Sequence, residues 1–204
     1  MTTESGIVLH RIECVNAFSN VKVGEKGGFI EKEENLSQYN NCWVYENARV
    51  FGDACVFGNS RVCENARVCE NARVYGNSRV FGNSRVCENA RVHGDALVCG
   101  DARVCENARV YGDALVCGDA RVCGDAILCG DAIIKNGNDY IVFKNKWSSG
   151  RDFTWTRSND MWKVGCFYGT GKELIEKAYK DSKLSGDCYK AYVELVEKLK
   201  EIQK

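Results

Sequence analysis

From Val44 to Ile133 large and small apolar positions recur among polar ones on an unbroken six-residue period, fifteen units long. Each unit reads aliphatic, then Tyr, Phe, Cys or His, then Gly or Glu, then Asn or Asp, then Ala or Ser, then mostly Arg or an aliphatic residue. Examples are VYENAR at 44–49, VFGNSR at 80–85 and VCGDAI at 122–127. The first position is Val in fourteen units and Leu128 in the other, and the fifth is always Ala or Ser. A large and a small apolar residue separated by one position share a face of an extended segment, with the residue between them pointing outward. Gly at the third position and Asn or Asp at the fourth supply bend chemistry, because both tolerate positive φ. A short strand and a tight bend are predicted every six residues, and a helix is excluded because its apolar period would be 3.6.

Bends of about a third of a turn close after three units, so the ninety residues make five coils of eighteen. The pattern resembles the hexapeptide-repeat superfamily of left-handed parallel β-helices, which place a small residue four positions after an aliphatic one. That resemblance implies the hand. A mainly β protein of about five to six coils is expected, with neighbouring strands ~4.8 Å apart.

Taking every third unit together gives three columns. The sixth position of the first is an arginine ladder, Arg49, Arg67, Arg85, Arg103 and Arg121. With glutamates nearby it reads as a solvated, locally paired face, the alternative being an anion-binding strip. The third column runs Arg61, Arg79, Leu97, Leu115 and Ile133. It turns apolar towards its end, with Tyr111 expected beside it, so Leu97, Tyr111, Leu115 and Ile133 are the interface candidates. The second column stacks Phe51, Cys69, Cys87, Cys105 and Cys123. No His accompanies these thiols and the repeats contain no CxxC pair. They read as small apolar fillers, and no metal is expected.

The chain ends must close the coil. Ile30, Leu36 and Cys42 keep the spacing, which gives residues 1–43 as an N-terminal strand and degenerate capping coil, and 44–137 as the β-helix. Residues 138–204 change character. YIVFKN, DFTWTR and MWKVGCFY, at 140–145, 152–157 and 161–168, read as a three-stranded meander. A capping box at Thr170 and Glu173 starts one helix. A second is predicted over 187–202, with Cys188, Ala191, Tyr192, Leu195, Leu199 and Ile202 in one stripe. A small C-terminal α+β domain follows.

Charge refines this division. The chain has 204 residues, 28 basic and 28 acidic, 13 cysteines and no proline. The zero balance argues against a nucleic-acid partner without excluding one. It divides as 4 basic and 6 acidic groups before Val44, 10 and 12 in the repeats, and 14 and 10 afterwards. The tail is thus the basic part. It also holds Trp147, Arg151, Trp155, Arg157, Trp162 and Lys163 within seventeen residues, a candidate aromatic and basic site for a phosphate-bearing ligand. An odd cysteine count without a small disulfide scaffold points to a reducing compartment, and no run is apolar enough for a membrane span or leader. The cytoplasm of a bacterial host cell is the expected location.

The superfamily resemblance implies a test for acyl transfer, since many of its members are acyltransferases using a His near a subunit boundary. The two histidines are His10 and His93, and no loop interrupts the repeats. His93 falls between Tyr75 and Tyr111 in its column and reads as an aromatic ladder member. Gly169-Thr170-Gly171-Lys172 fails the phosphate-loop pattern at Cys166 and Glu173. GGFIEKEENLS, NCWV and the tail FTWTRSNDMWKVGCFYGTGKELIEKAY resemble hexapeptide-repeat proteins of phages and prophages, often labelled transferase-like. That resemblance implies a phage-associated protein without a transferable catalytic residue. The leading expectation is a non-enzymatic binding or scaffold protein without cofactor. It would inhibit a host defence component or sequester a nucleotide, and a homo-oligomer is left open. The alternative is a homotrimeric acyltransferase using His93.

Overall fold

The structure is a computed structural model that describes residues 1–203. It divides into two units, residues 1–139 and 140–204.

In the first unit every repeat contributes a two-residue strand, formed by the sixth position of one unit and the first of the next. Strands eighteen residues apart pair in parallel and in register, as Arg85 does with Arg67 and Arg103, and Val86 with Val68 and Val104. Three sheets result, of seven, five and six strands, in a solenoid of about six turns. Every first-position aliphatic residue is fully buried, and the fifth-position alanines and serines are almost wholly so. The buried Ser60 hydroxyl donates to the Phe57 and Val74 carbonyls at 2.8 and 3.2 Å, so the polar replacement of Ala leaves no orphan.

Positive φ falls on the third position alone, which corrects the expectation that the fourth shares it. Gly takes this position in ten units and Glu in five, Glu46, Glu64, Glu70, Glu88 and Glu106, with φ of 54–62°. The fourth position stacks instead. The Asn59 amide donates to Asn77 at 3.1 Å, Asn77 to Asp95 at 3.0 Å, and Asn83 to Asp101 at 3.0 Å. A carboxamide can both donate and accept, so it links one coil to the next until an Asp, which only accepts, ends the run.

The N-terminal segment begins the coil. His10–Glu13 pairs antiparallel with Lys26–Ile30, whose Phe29 and Ile30 pair parallel with Arg49 and Val50. Gly27 and Gly28 permit this approach: a Cβ on Gly27 would lie 2.5 Å from the Val44 carbonyl oxygen, and one on Gly28 2.6 Å from that of Ala48. The five-stranded face is one strand short, with only a Leu36–Val56 bridge at that level. The fully buried Asn35 fills the place: its amide donates to the Gly52 and Ala54 carbonyls at 2.9 and 2.8 Å, and its oxygen accepts from Glu31 and Lys32 N–H groups at 3.2 and 2.9 Å.

The second unit is a four-stranded antiparallel meander, Tyr140–Lys144, Asp152–Thr156, Met161–Val164 and Phe167–Gly169, followed by α1 (Gly171–Asp181) and α2 (Lys183–Ile202). The expected third strand is two, because Gly165, at φ 53°, and Cys166 form a two-residue turn that pairs Val164 with Phe167. α2 starts at Lys183, four residues before the expected Asp187, and is capped by Ser182, whose hydroxyl accepts from Ser185 N–H. Its buried residues are Gly186, Tyr189, Val193 and Val196, while Leu195 and Ile202 are exposed. The stripe is therefore rotated from the expected one. Gly186 decides the rotation: the face it opens lets α2 lie against the Tyr179 ring, where a Cβ would overlap the ring carbons.

Candidate functional site

Because a strand joins the end of one repeat to the start of the next, the outward faces differ from the sequence columns. Arg49, Arg67, Arg85, Arg103 and Arg121 share a face with Phe51, Cys69, Cys87, Cys105 and Cys123, on either side of the buried valines. Likewise His93 and Tyr111 belong with Arg73, Arg91 and Arg109, whereas Leu97, Leu115 and Ile133 stand with Cys99 and Cys117. Tyr111 is thus separated by a bend from the other three interface candidates. Leu97 and Leu115 are half-buried and Ile133 is exposed.

One concavity that gathers charged groups lies on the arginine face, and a second of the same volume gathers Glu46, Arg61, Glu64 and Arg79 beside Tyr45 and Phe81. Residues 1–9 form a small hairpin, with Thr2 bridged to Val8 and Leu9 N–H donating to Met1 O at 2.6 Å. Its Thr3, Glu4, Ser5 and Ile7, together with Arg49, Phe51, Arg67, Glu70 and Arg85, line a cavity of about 340 Å³. Three guanidiniums meet two carboxylates there. Arg85 approaches Glu70 at 3.9 Å, but Arg49 and Arg67 have no carboxylate within 4.0 Å among the described residues. At the ~4.8 Å strand spacing two like charges repel by roughly 1 kcal/mol even in bulk water. The local pairing expected along this ladder is thus confined, within the cavity, to one long contact. An anion held between Arg49 and Arg67 would relieve the repulsion, and bidentate guanidiniums suit phosphate.

The other candidates are distributed differently. Trp155 and Trp162 are buried in the second unit's core with Phe153, Leu174 and Val196, and the Trp155 indole N–H donates to Asp160 at 2.8 Å. Of the three indoles only Trp147 is exposed, at 81%. Arg157 donates to the Gln203 side chain at 2.9 Å, Arg151 is exposed and packs by Gly165, and Lys163 is partly buried opposite Thr154. Thr170 and Glu173 form the capping box, with Glu173 N–H donating to the Thr170 hydroxyl at 3.3 Å.

His93 is stacked between Tyr75 and Tyr111, at centroid distances of 4.7 and 4.9 Å. Burial, with help from Arg109 and Arg91, lowers its pKa. The unfolded chain therefore takes up the proton first as pH falls through ~6.5, so the stability tied to neutral His93 is present above that pH and lost below it. His93→Phe should leave the melting temperature at pH 7.5 within a few degrees of the parent and show a smaller fall on acidification to pH 5.5. Thermal melts followed by circular dichroism check this, and an equal acid sensitivity in both proteins would count against it.

The arginine cavity was not legible in the sequence. The ladder was visible, but the hairpin that walls it carries no repeat signal. Among known proteins, a family profile described as the YdcK β-solenoid repeat matches residues 66–82, 72–88 and 102–118. No curated protein matches the chain. In-register parallel ladders, the six-residue units and these repeat matches together make the first unit a hexapeptide-repeat-like parallel β-helix, similar in its repeat to the YdcK β-solenoid.

Proposed function

We propose that this chain is a non-enzymatic binding protein whose rigid coil holds a small phosphate-bearing ligand, of nucleotide type, beneath the N-terminal hairpin. The observation that carries the reading is the cavity itself, which sets Arg49 and Arg67, with no carboxylate within 4.0 Å among the described residues, in one lining with Phe51. A phosphate would lie on the guanidiniums and a base on Phe51, and the volume lies within the range of small-ligand sites. Thr3 and Ser5 add hydroxyls that suit phosphate or ribose oxygens.

Sequestration of a nucleotide inside a bacterial host cell, as a phage-borne protein would perform it, agrees with the resemblance of the GGFIEKEENLS stretch. A phosphate-dominated site should weaken with salt, because the arginines and the ligand are screened by added ions. Pyrophosphate is therefore expected to raise the melting temperature at low ionic strength and to lose that effect in 0.5 M (~4 Å Debye length) sodium chloride.

The acyltransferase alternative requires His93 as a general base, for which a positioned substrate and proton path are needed. The aromatic stacking on both ring faces and the neighbouring arginines favour a packing role instead. Acetyl-CoA incubated with amine and sugar acceptors should release no thiol beyond the protein-free rate. Turnover that disappears in His93→Ala would replace the binding reading with the enzymatic one.

A further inference from the structure

The second cavity lies on the six-stranded face, where the coil repeat sets its dimensions. That face carries Trp43, Arg61 and Arg79 outward on one side of the buried valines and Tyr45, Cys63 and Phe81 on the other. Val44 pairs with Val62 and Val62 with Val80, so Cys63 lies one coil from each of the two rings. The neighbouring five-stranded face shows what one coil step holds at this position. There Phe57, Tyr75, His93 and Tyr111 stack ring on ring, at centroid distances of 4.7, 4.7 and 4.9 Å and interplanar angles of 3–10°. One ring therefore fills one step. Tyr45 and Phe81 are two steps apart, ~9.6 Å at Cα, and the half-buried thiol between them is much smaller than a ring. A slot of one ring's thickness results, within a cavity of about 340 Å³ that both aromatic residues, Cys63 and four charged side chains line.

The charges are sorted along the strand. Arg61 precedes Cys63 by two residues and Arg79 stands one coil further on, with no carboxylate within 4.0 Å of either among the described residues. Glu46 and Glu64 follow at the bend, where Glu64 N–H donates to Glu46 Oε2 at 2.8 Å and fixes that carboxylate. A flat group in the slot meets guanidiniums at one edge and carboxylates at the other.

We propose that this cavity binds a planar aromatic carboxylate that carries an amino group on the far side of its ring. The ring lies between Tyr45 and Phe81 and completes a three-ring stack at the spacing of the neighbouring ladder, with its inner edge on the Cys63 sulfur. The ligand carboxylate accepts from Arg61 and Arg79, whose planar forks match it. The amino group donates to the Glu46 or Glu64 carboxylate. A saturated ring of the same charge is too thick for the slot. The site shares no lining residue with the cavity beneath the hairpin, so it stands independently of nucleotide binding there.

The experiment is isothermal calorimetry on the full chain at low salt, with 4-aminobenzoate as the probe. One saturable site per chain is expected. Cyclohexanecarboxylate, which keeps the charge and loses the flat ring, should bind at least ~tenfold more weakly, and benzoate, which lacks the amino donor, should fall between. Cys63→Phe fills the slot with the protein's own ring. Phe already stands at this position in three other repeats, as Phe51, Phe57 and Phe81, so the coil accommodates it. Its melting temperature should rise by a few degrees and its binding should disappear. Arg61→Gln, at an outward position, should weaken binding about tenfold through the loss of a charge-assisted hydrogen bond. Arg67→Glu should bind the probe as the parent does, which separates this site from the hairpin cavity. No saturable binding to the parent, binding to folded Cys63→Phe or Arg61→Gln equal to that of the parent, or equal affinity for cyclohexanecarboxylate would each overturn the proposal.

Discussion

Val86→Asp is expected to abolish the cooperative melt of the coil. Val86 is fully buried and stacked in register between Val68 and Val104 inside the seven-stranded sheet. A carboxylate there must stay charged without a partner or take up a proton and still lack hydrogen bonds; either way the cost is above about 4 kcal/mol. Total stabilities of ~5–15 kcal/mol leave little margin for that. In a solenoid each coil rests on its neighbours, so a break in the middle withdraws support from both sides. Val86→Ala, which leaves a small cavity, should cost about 2 kcal/mol and keep the transition. Far-UV circular dichroism against temperature measures both. A Val86→Asp melt near that of the parent would contradict the inward assignment of the first position.

Asn35→Leu is the second large effect, and it acts at the end of the coil. The substitution keeps the size but strands the Gly52 and Ala54 carbonyls and the Glu31 and Lys32 N–H groups, all of which Asn35 now serves. Each orphaned buried group costs ~1–3 kcal/mol, with incomplete additivity because water can reach some of them. A loss of about 3–4 kcal/mol is expected. It should be local: hydrogen exchange should speed up over residues 26–44 while the repeats near Val104 keep their protection. Asn35→Asp, which sets a carboxylate oxygen against the Gly52 and Ala54 carbonyls, should cost at least as much at pH 7. Unchanged exchange over residues 26–36 in Asn35→Leu would show that the side chain is not what completes the short face.

These two residues mark how far the sequence could be read. Val86 belongs to a unit repeated fifteen times, so its inward direction follows from periodicity alone. Asn35 occurs once and looks like any polar loop residue; its role depends on the absence of a strand beside residues 55–56, which no local pattern announces. The assignment of faces failed for a related reason. Periodicity gives the spacing of the bends, but it does not say that each strand straddles two units, so the arginines and the thiols looked like separate columns. In the second unit the Gly165–Cys166 turn and the rotated face of α2 were likewise set by tertiary contacts, Val164 with Phe167 and Gly186 with Tyr179. Candidate chemistry was legible as ladders of Arg and Cys. Their meeting on one face was not.

That meeting is what distinguishes a decorated coil from a binding protein. Glu70 lies on the cavity wall, while Arg85 lines the cavity and also reaches Cys69 Sγ at 3.7 Å.

The most direct measurement is isothermal calorimetry of a nucleoside monophosphate, at low salt, into the parent protein and into Arg67→Glu. Saturable binding at one site per chain, lost in the variant while its melt is retained, is the predicted result. Absence of binding in the parent, or equal binding in the two proteins, would contradict the arginine cavity as the site of function.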